Sequence, residues 1–399
     1  MSKSTTGFYQ TKRMLSDSQH KNREGILSIF SSLKIDWIMF SSVIVIAILG
    51  LLTMASYVSD DTFVKKQVIW LIISVIVFFI LSLFDYRFLN KTKVVTTIFF
   101  ISLGLLFVLF VLGHTAKGAE SWFQIGGLSF QPSDPIKLVL VILLAKYFSK
   151  RHVEIANIRH ILVSGFYALS IFVLVYFQPD FGSALIIFLI WFGMTLVSGI
   201  SKKHLFAVFL IGATAFSILW VYGLKDYQKS RVINFLHPLS DIRGSGYNAY
   251  QSTIAIGSGQ ILGKGIGYGT QSKLKFLPEY RSDFIFSTFA EEWGLVGVAI
   301  LFLVFGILIW RIVTNAYYGA TNFEILFGLG LAILFMSHFL VNAGMALGLM
   351  PVTGITFPFM SYGGTNLLSS FVGLGILMGM RRYRRDAHKD LVRNEFLGL

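Results

Sequence analysis

The chain is 399 residues long, 55% hydrophobic and only 14% charged, with 39 Phe and a mean hydropathy of +0.70. That balance excludes a freely soluble globular protein, whose surface needs far more charge, and makes the bilayer the solvent. The formal charge of +14 would suggest nucleic acid on a soluble chain but orients helices on a membrane chain, so no nucleic acid partner is expected; the lack of cysteine excludes disulfides, thiolate metal sites and Cys nucleophiles.

Lipid offers the backbone no hydrogen bonds, so spanning elements are helices or a closed barrel. The apolar runs are unbroken rather than alternating, which predicts an all-α integral membrane protein. After a mostly polar tail, 1–35, too long and diluted for a cleaved signal peptide, runs able to cross a core of about 30 Å fall near 36–57, 67–84, 94–113, 135–148, 161–177, 183–200, 205–223, 284–310, 325–347 and 365–380. These give about ten transmembrane helices in one membrane domain, 36–380, followed by a basic tail, 381–399. With the N-terminus inside, the inner segments hold 21 Lys and Arg, while the short outer loops hold only Lys65, Lys66 and Lys117. Both termini are therefore expected in the cytoplasm.

Several polar residues interrupt this pattern. In the outer stretch 114–137, Trp122 suits an interfacial belt. Lys137, inside the short fourth run and three residues after Asp134, either pairs with that acid or is available to a phosphate. Gln178-Pro179-Asp180-Phe181-Gly182 reads as a tight turn between two runs. The segment 224–283 is expected to be extracellular and functional, because structureless loops of that length are uncommon otherwise. It carries eight basic residues against Asp226, Asp241, Glu279 and Asp283, and its stretch Tyr247 to Ile256 suits an amphipathic piece at the interface.

That segment ends directly before the apolar run Phe284-Ile285-Phe286, which puts Asp283 at the outer mouth of a helix. It is either a cap favoured by the helix dipole or a general base tuned by apolar surroundings. Glu291 and Glu292 lie about two turns further in, pointing about 100° apart. Only one can face a cavity directly, or the helix is broken there and the acids pair with Lys or Arg of a neighbour. The stretch from Met350 through Pro351 and Thr353 to Tyr362, Gly363 and Gly364 reads as a re-entrant polar lining, since irregular backbone at depth must be covered by protein or line a wet cavity. Gly344 and Gly348 are spaced for close helix packing.

Two lookalikes carry no chemistry. The glycines at 257, 259, 263, 265, 267 and 269 lack the pattern and strand context of a phosphate-binding loop. The eight histidines show no paired ligand spacing, so no zinc site is expected.

Taken in order, these motifs resemble one family, the SEDS proteins of bacterial shape, elongation, division and sporulation. The resemblance covers most of 36–380 and rests on KGAESW at 117–122, FQPSD at 130–134 with Lys137, QPDFG at 178–182, LPEYRSDFIF at 277–286, AEEWG at 290–294 and PVTGI to SYGG at 351–364. KDYQKSRV at 225–232, GYNAYQSTIAIGSG at 246–259 and GTQSKLKFLPE at 269–279 look closer to the elongation branch, RodA, than to the division branch, FtsW. The resemblance implies a peptidoglycan glycosyltransferase that polymerises lipid II at the outer face of the cytoplasmic membrane for elongation and shape. It implies a catalytic role for Asp283, a substrate cavity with Lys117, Trp122, Lys137, Arg231 and Glu279 as candidates, and a class B penicillin-binding protein as partner. Ser121, Asp134 and Arg281-Ser282 depart from the common family pattern, which bears on substrate placement and not on class.

The residue types suit that chemistry. A carboxylate beside the acceptor GlcNAc 4-hydroxyl can take its proton as the oxygen attacks the donor sugar, and Asp283 is the candidate. The leaving lipid diphosphate needs cationic residues or a divalent ion, Mg or Mn, whose ligands the spacing does not reveal. With no Cys and no second carboxylate placed as nucleophile, one displacement with inversion is expected. The rival readings are a lipid II flippase, since intramembrane Lys and Glu are normal in transport pathways, and a scaffold that only recruits a partner.

Overall fold

The computed structural model describes residues 35–397 except 57–61, 113, 117–118, 126–127, 151–157, 238–245, 275 and 278, so Lys117 lies outside the described residues. Every apolar run falls on a helix. They are α1 (Trp37–Ala55), α2 (Thr62–Ser82), α3 (Thr92–Leu112), α4 (Ser133–Ser149), α5 (Ile158–Phe177), α6 (Phe181–Val197) and α7 (Lys202–Ile218), which runs on into a wider π-type turn at Leu219–Gly223. After the outer segment come α11 (Ile285–Tyr317), α12 (Asn322–Ala346) and α13 (Gly364–Leu397). Helices α1, α2, α3, α5, α7, α11 and α12 are each long and apolar enough to cross a membrane, which makes this a multi-pass membrane protein. Outward-facing Phe100, Phe166, Phe206 and Phe209 fit a lipid surface and would be a liability in water.

The short α4 lies at the centre, packed against α3, α5, α6, α12 and α13. It is buried on nearly every side, from Ile136 through Leu140, Leu144 and Phe148. Neighbouring helices rather than lipid cover it. Around it, α1 packs on α11, α2 on α13, and α12 on both α6 and α11. At one end of α1, Asp36 caps the helix by accepting from Met39 N at 3.1 Å. Its Oδ2 also takes Arg311 at 2.6 Å, Asn315 at 2.8 Å and Arg381 at 3.2 Å. One carboxylate thus clasps α1, α11 and α13.

Two features depart from the expected pattern. A small antiparallel sheet, β1 (His114–Ala116), β2 (Ala119–Ile125) and β3 (Leu128–Phe130), stands before α4; Phe123 faces Phe130 and Ile125 faces Leu128. The segment 224–283 is also not structureless. It contains α8 (Asp226–Leu236), α9 (Tyr247–Ser258) and the single turn α10 (Thr270–Lys273). The predicted amphipathic stretch is α9, which turns Ser252 and Ala255 inward against α11 and α12.

Candidate active site

Asp283 stands on the turn 279–284 that leads into α11 and is half-buried. The capping position falls on Phe284, whose side chain makes no cap bond, so Asp283 is not the N-cap residue. Tyr280, Phe284, Leu277 and Val352 form a small apolar cluster beneath the turn. Three consecutive carbonyls of this turn are each bonded by the facing wall. Arg281 O accepts from Tyr362 N at 2.9 Å, Ser282 O from Ser361 Oγ at 2.6 Å, and Asp283 O from Asn342 Nδ2 at 2.8 Å. The re-entrant stretch 351–363 supplies the first two donors and α12 the third. Gly354, at φ +76°, lies beside the acid; a Cβ there would stand 3.5 Å from Asp283 Oδ2. Glu279 is exposed and accepts from Ser282 Oγ at 2.9 Å, while Arg281 lies over the Phe63 ring at 4.5 Å.

Lys137 forms the pair anticipated with Asp134, at 3.0 Å, with both side chains buried. Asn366 reaches the same Asp134 oxygen at 3.5 Å. His338 joins Lys137 and Asp134 around a cavity of about 10 Å³, room for about one water. One turn along α12 from His338 comes Asn342, so a single helix connects the Lys137 pair to the Asp283 turn. His338 Nδ1 lies 3.4 Å from Thr356 O and Asn342 Nδ2 donates to Ile355 O at 2.6 Å; both bonds pin the re-entrant stretch to α12. The QPDFG turn forms as expected: Asp180 Oδ1 accepts from Ser183 N and Oδ2 from Gln131 Nε2, each at 2.9 Å. That second bond joins it to the FQPSD stretch.

The third motif, AEEWG, lies where α11 is broken. Gly294 has φ +64° and ψ −167° inside the helix, and the chain 259–271 inserts against the break. Gln260 O and Ile261 O accept from Leu295 N and Val296 N, while Lys264 N and Gly265 N donate to Glu291 O and Glu292 O. The backbone groups freed by the break are thereby satisfied by another segment, as depth requires. Both acids turn to that segment. Glu291 Oε1 takes Lys264 Nζ at 2.8 Å and Gln271 N at 3.1 Å; Glu292 Oε1 takes Ser56 Oγ at 2.6 Å and Gly267 N at 2.7 Å. Glu291 thus takes the predicted Lys partner at a broken helix, while Glu292 is held by a Ser hydroxyl and a main-chain N–H, and both acids anchor the outer segment.

Arg231 sits apart from Lys137. It is half-buried on α8 and, with Tyr250 and Thr253 of α9 and Met350 to Val352, lines a cavity of about 280 Å³. Val352 belongs both to that cavity and to the apolar cluster under Asp283. Trp122 lies on β2, paired with His114. Among the described residues no group of three or more His, Asp or Glu side chains is arranged to hold a metal ion. Ser361 belongs to the predicted re-entrant lining, whereas Asn342 does not figure among the candidates; its signal is a lone Asn inside an apolar run, a position that is expensive unless it has a task.

The family model described as FTSW_RODA_SPOVE, cell cycle protein, matches residues 28–386. The chain is 36% identical over 297 residues to peptidoglycan glycosyltransferase MrdB of Escherichia coli, covering 74% of this chain and 79% of that protein. It is 33% identical over 335 residues to stage V sporulation protein E of Bacillus subtilis, covering 83% and 90%. Among solved structures, a chain from a peptidoglycan synthase complex that coordinates polymerization and crosslinking superposes with a TM-score of 0.75 at 31% identity, over 88% of this chain and 98% of that one. The rod shape determining protein RodA of Thermus thermophilus superposes at 0.65 and 29% identity, with the same coverage. With the family model spanning nearly the whole chain, this protein belongs to the FtsW/RodA/SpoVE family, the SEDS proteins.

Proposed function

We infer that this protein is a peptidoglycan glycosyltransferase that polymerises lipid II for cell elongation and shape. Curated relatives are named peptidoglycan glycosyltransferase or probable peptidoglycan glycosyltransferase, and the likeness to RodA favours the elongation branch. The observation that carries the site assignment is the turn bearing Asp283, half-exposed yet held by three successive carbonyl bonds to a buried wall. A carboxylate so placed is oriented without being sealed off, as a general base must be.

In this reading Asp283 takes the proton of the acceptor GlcNAc 4-hydroxyl as that oxygen attacks the donor's anomeric carbon. The bond to the undecaprenyl diphosphate breaks in the same displacement and the configuration inverts. Charge grows on the departing diphosphate, and Arg231, Lys117 and the wider excess of basic residues in 224–283 are the cations proposed to meet it, with Lys137 joining them where its buried pair with Asp134 opens. Trp122 and Glu279 are the remaining candidates for contacts to the substrate. A Mg or Mn ion would offset the charge that grows on the diphosphate. The active face points outward and both termini lie in the cytoplasm, following the basic residues. We assign ten spans, one to each apolar run of the sequence; seven of the described helices are long and apolar enough to cross by themselves. The crosslinking partner is a class B penicillin-binding protein, by analogy with the synthase complex.

The test is glycan polymerisation from purified lipid II by the reconstituted protein with its partner and a divalent cation, comparing wild type with Asp283→Ala and Asp283→Asn. Polymer from wild type and none from folded variants supports the base assignment. Normal polymer from both variants removes it. Lipid II crossing vesicles without any polymer replaces the reading with a flippase.

A further inference from the structure

We infer that Asn342 is a positioning residue for the transfer reaction, holding the main chain that carries Asp283 at a set distance from the wall opposite the acid. The inference rests on the reading of Asp283 as the base. Asn342 lies in the last third of α12, wholly buried among Val341, Ala343, Met345 and Ala346. An amide in such surroundings is costly unless its hydrogen bonds are made. Both of its N–H bonds go to main-chain carbonyls, Asp283 O at 2.8 Å and Ile355 O at 2.6 Å. Carbonyls only accept, so the amide orientation is settled by its partners. Its Oδ1 has no hydrogen-bond partner, so the side chain is kept in place by the two donated bonds alone.

The two carbonyls belong to opposite walls. Asp283 O is on the acid's own residue. Ile355 follows Gly354, the residue facing Asp283 Oδ2. One planar amide therefore bridges the turn that bears the carboxylate and the strip of chain it faces. Ser361 and Tyr362 hold the neighbouring carbonyls Ser282 O and Arg281 O, but Asn342 alone of the three donors bonds the residue that carries the acid. Without it, Asp283 and Gly354 lose their common tether. Misplacement of a reacting group by about 1 Å can cost about 10²-fold in rate, so a residue that never touches substrate still governs turnover.

The experiment is steady-state and pH-dependent polymerisation by the reconstituted full chain with its penicillin-binding partner, comparing wild type, Asn342→Ala and Asn342→Asp, with Asp283→Asn as the inactive control. Asn342→Ala is expected to lower kcat about tenfold to a hundredfold, the range set by such a misplacement, with KM for lipid II unchanged. Asn342→Asp is isosteric and donates only when protonated, so its activity relative to wild type rises as pH falls from 7.5 to 5.5, a rescue no general loss of folding would give. Full kcat in Asn342→Ala, or a loss confined to KM, overturns the inference. So does an Asn342→Asp whose activity relative to wild type is flat across pH, which also decides the matter where the Ala variant fails to fold. If wild type itself makes no polymer, the functional reading fails rather than the role of Asn342.

Discussion

Lys264 of the outer segment and Glu291 of α11 form an ion pair at 2.8 Å in which the carboxylate is wholly buried and the ammonium is 27% exposed. Thr270 Oγ1 and Gln271 N bond the same carboxylate oxygen at 3.2 and 3.1 Å, so one acid gathers the whole 264–271 stretch onto the broken helix. Removing one partner of a buried pair typically costs about 3–5 kcal/mol, because the other charge is stranded; partial exposure of Lys264 puts this case at the low end. Lys264→Met is expected to lower the melting temperature in detergent. The double variant Lys264→Met with Glu291→Gln should recover most of the loss, and no recovery would refute the pairing as its source.

The break in α11 yields a contrast within one helix. Gly294 sits at φ +64°, and a Cβ there would overlap Gly263 N and crowd Ile261 O. Gly294→Ala should destabilise by at least about 1–3 kcal/mol from backbone strain alone. Gly306, in the same helix, has open space around its Cβ position. Gly306→Ala should be neutral or stabilising by up to about 1 kcal/mol on helix propensity. Thermal unfolding of the two variants side by side checks the sign of each.

The buried pair of Lys137 and Asp134 separates stability from activity. Lys137→Met strands Asp134 and should cost about 3–5 kcal/mol. Adding Asp134→Asn removes the stranded charge and should restore the melting temperature. If Lys137 meets the diphosphate as proposed, polymerisation stays low in the double variant, and recovery of both stability and polymer would confine Lys137 to a structural role.

The clasp at Asp36, the residue ahead of α1, sets a pH dependence. Burial pushes this carboxyl up, but bonds from Arg311, Asn315 and Met39 N and the Arg311 charge outweigh it and leave it below its ordinary value of 3.8. A depressed carboxylate stabilises the fold above its unfolded pKa, and that contribution is lost as pH falls through the folded value. Stability from this clasp should therefore hold at neutral pH and fade below about pH 4. Asp36→Asn should lower the melting temperature at pH 7 and flatten the acid limb of a melting profile taken from pH 6 to pH 3; an unchanged acid limb would show that other carboxylates set it.

Much of the site was legible because its signals are local. Asp134 and Lys137 are three residues apart on one helix, so their pairing follows from helical geometry. Two acids in an apolar run must find partners or break the helix, and Glu291 and Glu292 stand at a break with their partners. Other features were not legible because they depend on what a segment faces. The small sheet at 114–130 has in the sequence only a Gly126-Gly127 pair between two short runs. Within 224–283, α9 packs on α11 and α12, which no window of that segment displays.

By itself the sequence determined that this chain lives in a bilayer, where its helices lie and which family its motifs belong to, because hydropathy, period and spacing are properties of neighbours along the chain. Only the tertiary structure decided that a residue from α12 and two from the stretch before α13 hold three successive carbonyls beside Asp283, and that the 259–271 chain fills the break in α11. In lipid every freed backbone group must find a partner somewhere in the protein, and where that partner comes from is settled by folding in three dimensions rather than by order in the chain.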